Sequence, residues 1–259
     1  MKIPIYQVDA FTDRLFGGNP AAVCPLEEWL PDMTMQAIAE ENNLSETAFF
    51  VPKGDAFELR WFTPKIEIAL AGHPTLATAH VIYEHLGYGR PHISFLTKGG
   101  ELRIKKKKGL ILMDFPGFEL APSDTPEALI KGLGKEPKET LKGRDYFAVF
   151  DSEAEILAIR PDFTEIEKLD CLGVIVTAKG NSCDFVSRFF APRAGILEDP
   201  VTGSAHTLLI PFWAKRLKKN VLHAFQVSKR RGEILCEYQG ERVQIGGRAV
   251  TYMTGIIDI

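Results

Sequence analysis

The chain has 259 residues, of which 45% are hydrophobic and 25% charged, and its net charge is −3. This length allows one large domain or two of about 130 residues, and the charge balance excludes the basic surface typical of nucleic-acid-binding proteins or of proteins held on anionic membranes. The four cysteines lie far apart without a C-x-x-C pair, which argues against a zinc site or a disulfide framework. No apolar run has the length of a signal peptide core or a membrane span, so we expect a soluble cytoplasmic protein.

Apolar periodicity predicts a chain made mostly of strands. In chain order, the predicted strands are 3–11, 47–52, 56–62, 92–97, 101–105, 110–115, 145–150, 155–159, 172–177, 185–190, 224–228, 233–238, 241–246 and 249–257. Residues 33–41 suit an amphipathic surface helix. The lysines at 105–108 favour a solvated hairpin turn over a phosphate contact, because apolar alternation resumes on both sides. Residues 17–20 predict a turn and make Asn19 a candidate ligand contact.

Two further stretches, 73–86 and 204–217, are apolar on all sides of a helix, which is typical of buried helices. Pro211 falls inside the second stretch and predicts a kink or a local break there. Each helix follows a glycine, Gly72 in the first case and Gly203 in the second.

The two helices belong to an internal repeat. The segment at 60–65 resembles the segment at 188–193 with an offset of 128, and the two helix-start glycines are 131 positions apart. A third match, between 100–104 and 232–236, has an offset of 132. A duplication explains matches that keep their order while the offset grows slowly. We predict two lobes, the first over 1–118 and completed by 249–259, the second over 119–248, each with an antiparallel-rich sheet around its own helix.

A helix start offers unpaired backbone N–H groups and a partial positive charge, and glycine lets a ligand approach the backbone closely. Gly72 and Gly203 therefore mark potential carboxylate or phosphate sites. Taken singly, each is more typical of an ordinary buried helix. Because a duplicated fold has a pseudo-two-fold axis, we expect both starts to face one cleft.

Residues that differ between the two repeats are candidates for catalytic roles. At the offset of 128, Glu46 aligns with the apolar Val174. Glu46 also directly precedes an apolar strand. Burial at such a position raises the pKa of a carboxyl group toward neutrality, as a general acid/base requires. A solvated glutamate at a strand start, or a capping acceptor, is the competing interpretation.

His73 and Ser204 form another unequal pair, each directly after its helix-start glycine. His73 suits a hydrogen-bond donor or proton shuttle, or a structural histidine. Asp199 precedes the second helix and suits either a cap or a contact to a substrate amine or hydroxyl. His80 and His206 are further candidates, His80 being more typical of a structural role. No nucleophile elbow, phosphate loop, dinucleotide fingerprint or metalloprotease motif is present, so a cofactor-free enzyme or a binding protein remains.

Six ordered motifs together resemble the phenazine-biosynthesis PhzF-like isomerase family over essentially the whole chain. They are 8–12 with 18–23, then 43–49, 60–64, 71–75, 198–205 and 246–249. The resemblance implies an α+β, diaminopimelate-epimerase-like fold, with two pseudo-symmetric lobes that each curl a sheet around a central buried helix. It also implies that the protein works without a cofactor or metal and forms a homodimer.

The resemblance also assigns site residues. It implies that Glu46 is the acid/base, that His73, Asp199 and Ser204 line the substrate site, and that Gly72 and Gly203 offer backbone N–H groups. Fold relatives that racemise amino acids use a cysteine from each lobe, and neither 69–75 nor 198–206 contains one, which disfavours a two-thiol racemase.

The sequence therefore predicts a cofactor-independent isomerase or epimerase that moves a proton on a small carboxylate-bearing metabolite. A non-catalytic protein that binds an anionic metabolite is the alternative, and a hydrolase or lyase using Asp199 and His73 is a third possibility. The substrate itself cannot be read from the residues.

Overall fold

The computed structural model describes residues 1–259 and divides into two compact units. The first unit contains residues 1–115 and 244–259, and the second contains residues 116–243.

The elements in chain order are β1 (Lys2–Ala10), β2 (Asn19–Pro25), α1 (Asp32–Asn42), β3 (Glu46–Lys53), β4 (Ala56–Phe62), β5 (Glu67–Ile68), α2 (His73–Glu84), β6 (His92–Thr97), β7 (Gly100–Lys107), β8 (Leu110–Pro116), β9 (Ala121–Pro122), α3 (Glu127–Leu133), β10 (Glu139–Lys142), β11 (Tyr146–Val149), α4 (Glu153–Ala158), α5 (Phe163–Glu167), β12 (Val174–Lys179), β13 (Phe185–Ala191), a 3₁₀ turn (Pro192–Ala194), β14 (Ile196–Asp199), α6 (Gly203–Leu217), β15 (Val221–Gln226), β16 (Gly232–Gln239), β17 (Arg242–Gly247) and β18 (Ala249–Asp258).

In the first unit, the sheet is built around α2. Strand β1 pairs antiparallel with β18 and β2, β2 lies parallel to β3, and β4 pairs antiparallel with β3 and parallel with β6. Helix α2 packs against β1, β2, β3 and β18, and all but two of its residues are buried, as its apolar sequence predicts. Met35, Ile38 and Ala39 of α1 are buried in a separate apolar cluster.

The second unit repeats this order around α6. Strand β11 lies parallel to β12, β13 pairs antiparallel with β12 and parallel with β15, and β15 pairs antiparallel with β16. Helix α6 packs against β15 and β16. The expected diaminopimelate-epimerase-like arrangement, a mostly stranded sheet around a buried helix in each unit, is confirmed.

Pro211 does not break its helix, contrary to part of the prediction, since α6 runs without interruption from Gly203 to Leu217. A proline in a helix leaves the carbonyl four residues earlier without its donor. Here that carbonyl belongs to Thr207, and it accepts the N–H of Phe118 at 3.0 Å. The loop that carries Phe118 therefore supplies the missing donor and lets the helix continue.

Several local predictions were wrong. Residues 155–159 do not form a strand, because Ser152 caps α4 and its side chain accepts the N–H of Glu155, a helix-start signal outweighing the short apolar alternation. Leu86 lies beyond the end of α2 and is exposed. The lysine run is mostly strand, and only Lys108 and Gly109 form the turn, both with positive φ. The elements without a prediction are mostly short: β2, β5, β9, β10, β14, α3 and α5.

Candidate active site

Three of the predicted site residues meet in the first unit, each as the first residue of an element. Asn19 begins β2, Glu46 begins β3 and His73 begins α2. Strands β2 and β3 are parallel, and Ala21 pairs with Glu46. Asn19 is two residues before Ala21 in β2, so its side chain lies on the same face of the sheet as that of Glu46. The three residues are 0%, 8% and 3% exposed, respectively.

The three side chains form a continuous polar chain. Nδ2 of Asn19 lies 3.0 Å from Nδ1 of His73, and Nε2 of His73 lies 2.9 Å from Oε2 of Glu46. The second contact is close but not linear, and such contacts tighten when a substrate binds. The imidazole thus bridges a buried amide and a buried carboxylate, which excludes the interpretation of Glu46 as a fully solvated residue at a strand start.

The conformation of the loop before β2 positions Asn19. Gly18 has φ of +59°, and a Cβ atom there would lie 2.0 Å from the carbonyl oxygen of Ala10, so only glycine fits. Asp9 accepts the N–H of Phe16 at 2.8 Å and closes the loop. Phe16 also has positive φ, which is a strained conformation for a bulky residue and one that clusters at functional sites. The predicted turn is present, but it ends at Gly18.

The start of α2 is suited to an anion. Gly72 precedes the helix, no side chain caps it, and its first turn contains no acidic residue. Thr75 turns its hydroxyl inward, donating to the carbonyl oxygen of Ala71 at 2.5 Å. No acidic residue of the first turn offsets the positive end of the helix dipole, and the one carboxylate placed beside it is that of Glu46, in contact with His73.

In the second unit, Asp199 ends β14, and Gly203 and Ser204 open α6. Thr202 donates its hydroxyl to Oδ2 of Asp199 at 2.5 Å. The amide of Gln226, which is fully buried, donates to the backbone oxygen of Asp199 at 2.7 Å and accepts the N–H of Thr202 at 2.8 Å. Gln226 thus fixes the turn from Asp199 to Thr202. Gln226 is not among the site residues predicted from the sequence, although a lone amide at the end of an apolar strand was a usable signal.

Two other candidate histidines have structural roles. His206 is fully buried, its Nδ1 lies 2.8 Å from the carbonyl oxygen of Thr202, and burial lowers its pKa to about 4. His80 contacts the hydroxyl of Thr251 at 2.9 Å, and burial lowers its pKa to about 4 as well. Both rings are therefore neutral near pH 7 and serve as fixed parts of their units.

The repeated hairpins carry the same ion pair. Arg60 makes a bidentate contact with Glu67, at 2.7 and 2.8 Å, and Arg188 makes the same contact with Glu198, at 2.8 and 3.0 Å. Both arginines lie in the second strand of their hairpin. This pair of matching contacts supports the sequence alignment of the two repeats.

The strand register corrects one detail of that alignment. Thr47 pairs with Phe62, and Val174 pairs with Phe190. Since Phe62 and Phe190 are the matching positions, Glu46 corresponds to the residue before Val174, which is Gly173. The fixed offset of 128 therefore placed Val174 opposite Glu46 wrongly by one residue, because the offset differs between the two strands of the hairpin. Whether Gly173 or Val174 is taken as the counterpart of Glu46, only the first unit has a carboxylate at this position.

No group of three or more His, Cys, Asp or Glu side chains in the chain is arranged to hold a metal ion. None of its helices combines the length and the apolar character that crossing a membrane requires.

The chain is similar to known proteins over essentially its whole length. The family model of the phenazine biosynthesis-like protein, PhzC-PhzF, matches residues 8–255. An uncharacterised isomerase of Pseudomonas aeruginosa is 50% identical over 259 residues, covering 100% of both chains. A crystal structure of a PhzF-family phenazine biosynthesis protein from Enterococcus faecalis is 46% identical, with a TM-score of 0.98 and full coverage of both chains. A predicted epimerase of P. aeruginosa, 21% identical with a TM-score of 0.76 over 98% of this chain and 99% of that one, shares the fold.

Proposed function

We propose that this chain, which belongs to the phenazine biosynthesis-like PhzC-PhzF family, is a cofactor-independent isomerase that moves a proton on a small carboxylate-bearing metabolite, with Glu46 as general acid/base. Three of its curated relatives are named as uncharacterised isomerases. The observation that carries the assignment to Glu46 is the contact of 2.9 Å between its buried carboxylate and His73.

The proposed step uses the two oxygens of one carboxylate differently. Oε2 of Glu46 lies 2.9 Å from Nε2 of His73, which leaves Oε1 to take a proton from a substrate carbon. The electron pair of the broken C–H bond delocalises into the substrate, and the protonated Glu46 returns the proton to another carbon on the same face of the substrate. No second acid exists at the matching position of the other unit, so one group both removes and returns the proton.

The start of α2 supports a carboxylate-bearing substrate. Backbone N–H groups at an uncapped helix start bind anions, and Gly72 keeps the backbone open to close approach. A substrate carboxylate held there lies near His73, within reach of the proposed base. The same groups stabilise negative charge that develops when the proton leaves.

For the second unit, we propose that Asp199, Gly203 and Ser204 contact the substrate. The support is chemical: Asp199 accepts hydrogen bonds, and the first turn of α6 contains no acidic residue and no side-chain cap. The hydrogen bonds of Gln226 hold this turn in one conformation, as a binding group requires.

We also propose that the protein is a cytoplasmic homodimer. An apolar patch supports self-association: Phe16, Tyr252 and Ile256 are 69%, 49% and 65% exposed, and the rings of Phe16 and Tyr252 are 5.8 Å apart. Light scattering on the purified chain tests this proposal, and a monomer at micromolar concentration would contradict it.

The test of function starts with a metabolite screen by thermal shift and follows each stabilising compound by NMR and mass spectrometry in deuterated buffer. We expect deuterium to enter the substrate while its atomic composition stays otherwise unchanged. The Glu46→Gln variant should slow this deuterium entry at least about 100-fold. Glu41→Gln, at an exposed glutamate, is the matched control and should exchange at the normal rate.

Three other results would contradict the proposal. Tight binding with neither deuterium exchange nor conversion to an isomer would favour the alternative of a non-catalytic binding protein. A product with a different mass would favour a hydrolase or lyase. Exchange that Glu46→Gln leaves unchanged would show that another group is the base.

A further inference from the structure

We infer that Asn19 is a positioning residue that holds His73 in the tautomer with its proton on Nε2, the ring nitrogen that lies 2.9 Å from Glu46. The inference concerns His73 in the resting protein, and only its consequence for catalysis rests on the proposed function. It changes the role expected for Asn19 from a substrate contact to a residue acting through His73.

The two contacts of the imidazole select the same tautomer. A carboxylate is only an acceptor, so a proton on the ring nitrogen 2.9 Å from Oε2 of Glu46 is favoured over a lone pair, which would repel the oxygen, although the contact lacks the geometry of a hydrogen bond. A neutral imidazole carries one proton, so Nδ1 of His73 is then an acceptor. The group facing Nδ1, at 3.0 Å, is the amide nitrogen of Asn19, which is a donor. Donor and acceptor alternate along the whole chain of three side chains.

The opposite tautomer fits none of these contacts. A proton on Nδ1 would face the N–H groups of the Asn19 amide, and the bare Nε2 would face the carboxylate. Rotating the amide would satisfy Nδ1 but would leave the repulsion at Glu46. Since all three side chains are buried, water cannot relieve such a mismatch cheaply.

The backbone fixes Asn19 firmly enough for this role. Asn19 pairs with Ala10 in the β1–β2 ladder, and the preceding Gly18 can only be glycine. The amide therefore approaches Nδ1 from a fixed direction. The consequence for the proposed reaction is a carboxylate whose Oε2 lies against a neutral N–H group, which orients Oε1 for proton transfer without neutralising the base.

The tautomer can be measured directly. The protein labelled with ¹⁵N-histidine contains six histidines, and a long-range ¹H–¹⁵N correlation spectrum separates a protonated ring nitrogen from an unprotonated one. The His73 signals are assigned by their loss in His73→Gln. At pH 7.5, we expect Nε2 protonated and Nδ1 unprotonated. An Nδ1–H tautomer, a doubly protonated ring or a mixture in the natural protein would overturn the inference.

Two variants test the role of Asn19 itself. Asn19→Asp replaces the donor by an acceptor, so His73 should gain a proton on Nδ1, whereas the exposed Asn181→Asp should leave the His73 signals unchanged. Asn19→Leu, close in size but without a donor, should broaden the signals into a mixture of tautomers. If both Asn19 variants fold and keep the natural tautomer, Asn19 does not set it.

The catalytic consequence has a separate readout. With a substrate found by deuterium exchange, Asn19→Leu should lower kcat about 10-fold or more while changing KM less, and Asn181→Asp should change neither. If the tautomer is as expected and no compound exchanges, the proposed function fails and this inference stands. If exchange depends on Glu46 and the His73 proton is on Nδ1, the inference fails alone.

Discussion

Gly173 lies so close to the ring of Phe189 that a Cβ atom on it would be 2.3 Å from Cζ. Gly173 is the residue that corresponds to Glu46 in the other unit, so the second repeat has no room for a carboxylate at this position. The asymmetry between the units is thus built into the packing, and under the proposed function it leaves Glu46 as the single base. This contrasts with two-base racemases, which need an acid on each face of the substrate.

Replacing Gly173 by alanine should destabilise the protein by about 1–3 kcal/mol, because a Cβ atom overlaps the ring of Phe189 and meets the backbone oxygen of Phe190 at 3.0 Å. Urea unfolding measures the change. Gly89→Ala, where a Cβ atom has no neighbour within 4 Å, is the control and should change the free energy of unfolding by less than about 0.5 kcal/mol. Equal stability of the two variants would mean that the ring moves aside freely.

Replacing His73 by phenylalanine keeps an aromatic ring in place but removes the contact to Oε2 of Glu46. We expect kcat for deuterium exchange to fall about 10- to 100-fold, corresponding to the loss of one polar contact to a charged group that tightens in the substrate complex. His92→Phe, at an exposed histidine, is the matched control. An unchanged kcat would show that His73 does not orient the base.

Replacing Gln226 by leucine should cost about 2–4 kcal/mol of stability. The change leaves the buried N–H of Thr202 and the backbone oxygen of Asp199 without the partners that Gln226 supplies, and each unsatisfied group costs about 1–3 kcal/mol. Thermal or urea unfolding measures the loss, with Gln239→Leu at an exposed strand position as the control. A loss below about 1 kcal/mol would indicate that the turn from Asp199 to Thr202 holds itself.

Stability should fall as the pH drops from about 6.5 to about 4. Burial lowers the pKa of His206 and of His80 from 6.5 to about 4 in the folded state, so the unfolded chain binds more protons in this window and acid favours it. Each histidine contributes up to about 1.4 kcal/mol per pH unit to the slope. Urea unfolding across this range should therefore show a shallower slope for His206→Gln, and His92→Gln should keep the natural slope.

Much of the first unit's site could be predicted from the sequence, because its residues stand at element starts. The Gly18–Asn19 pair, Glu46 before an apolar strand and Gly72–His73 before an apolar helix are all local signals. Their convergence could not be predicted from those signals alone. It depends on the parallel pairing of β2 with β3, and β2 itself was not predicted. Gln226 was missed for the same reason, since its partners lie 24 and 27 positions away.

The sequence by itself determined the duplicated scaffold, the two buried helices with their glycine starts and the candidate acid, because apolar period and turn chemistry are local properties. Only the tertiary structure decided three other matters: that Gly173 and not Val174 stands where Glu46 does, that Phe118 satisfies the carbonyl freed by Pro211, and that Asn19 faces His73. Each depends on strand register or on a contact between distant segments. Such contacts are selected by packing across the whole unit, which no local pattern encodes.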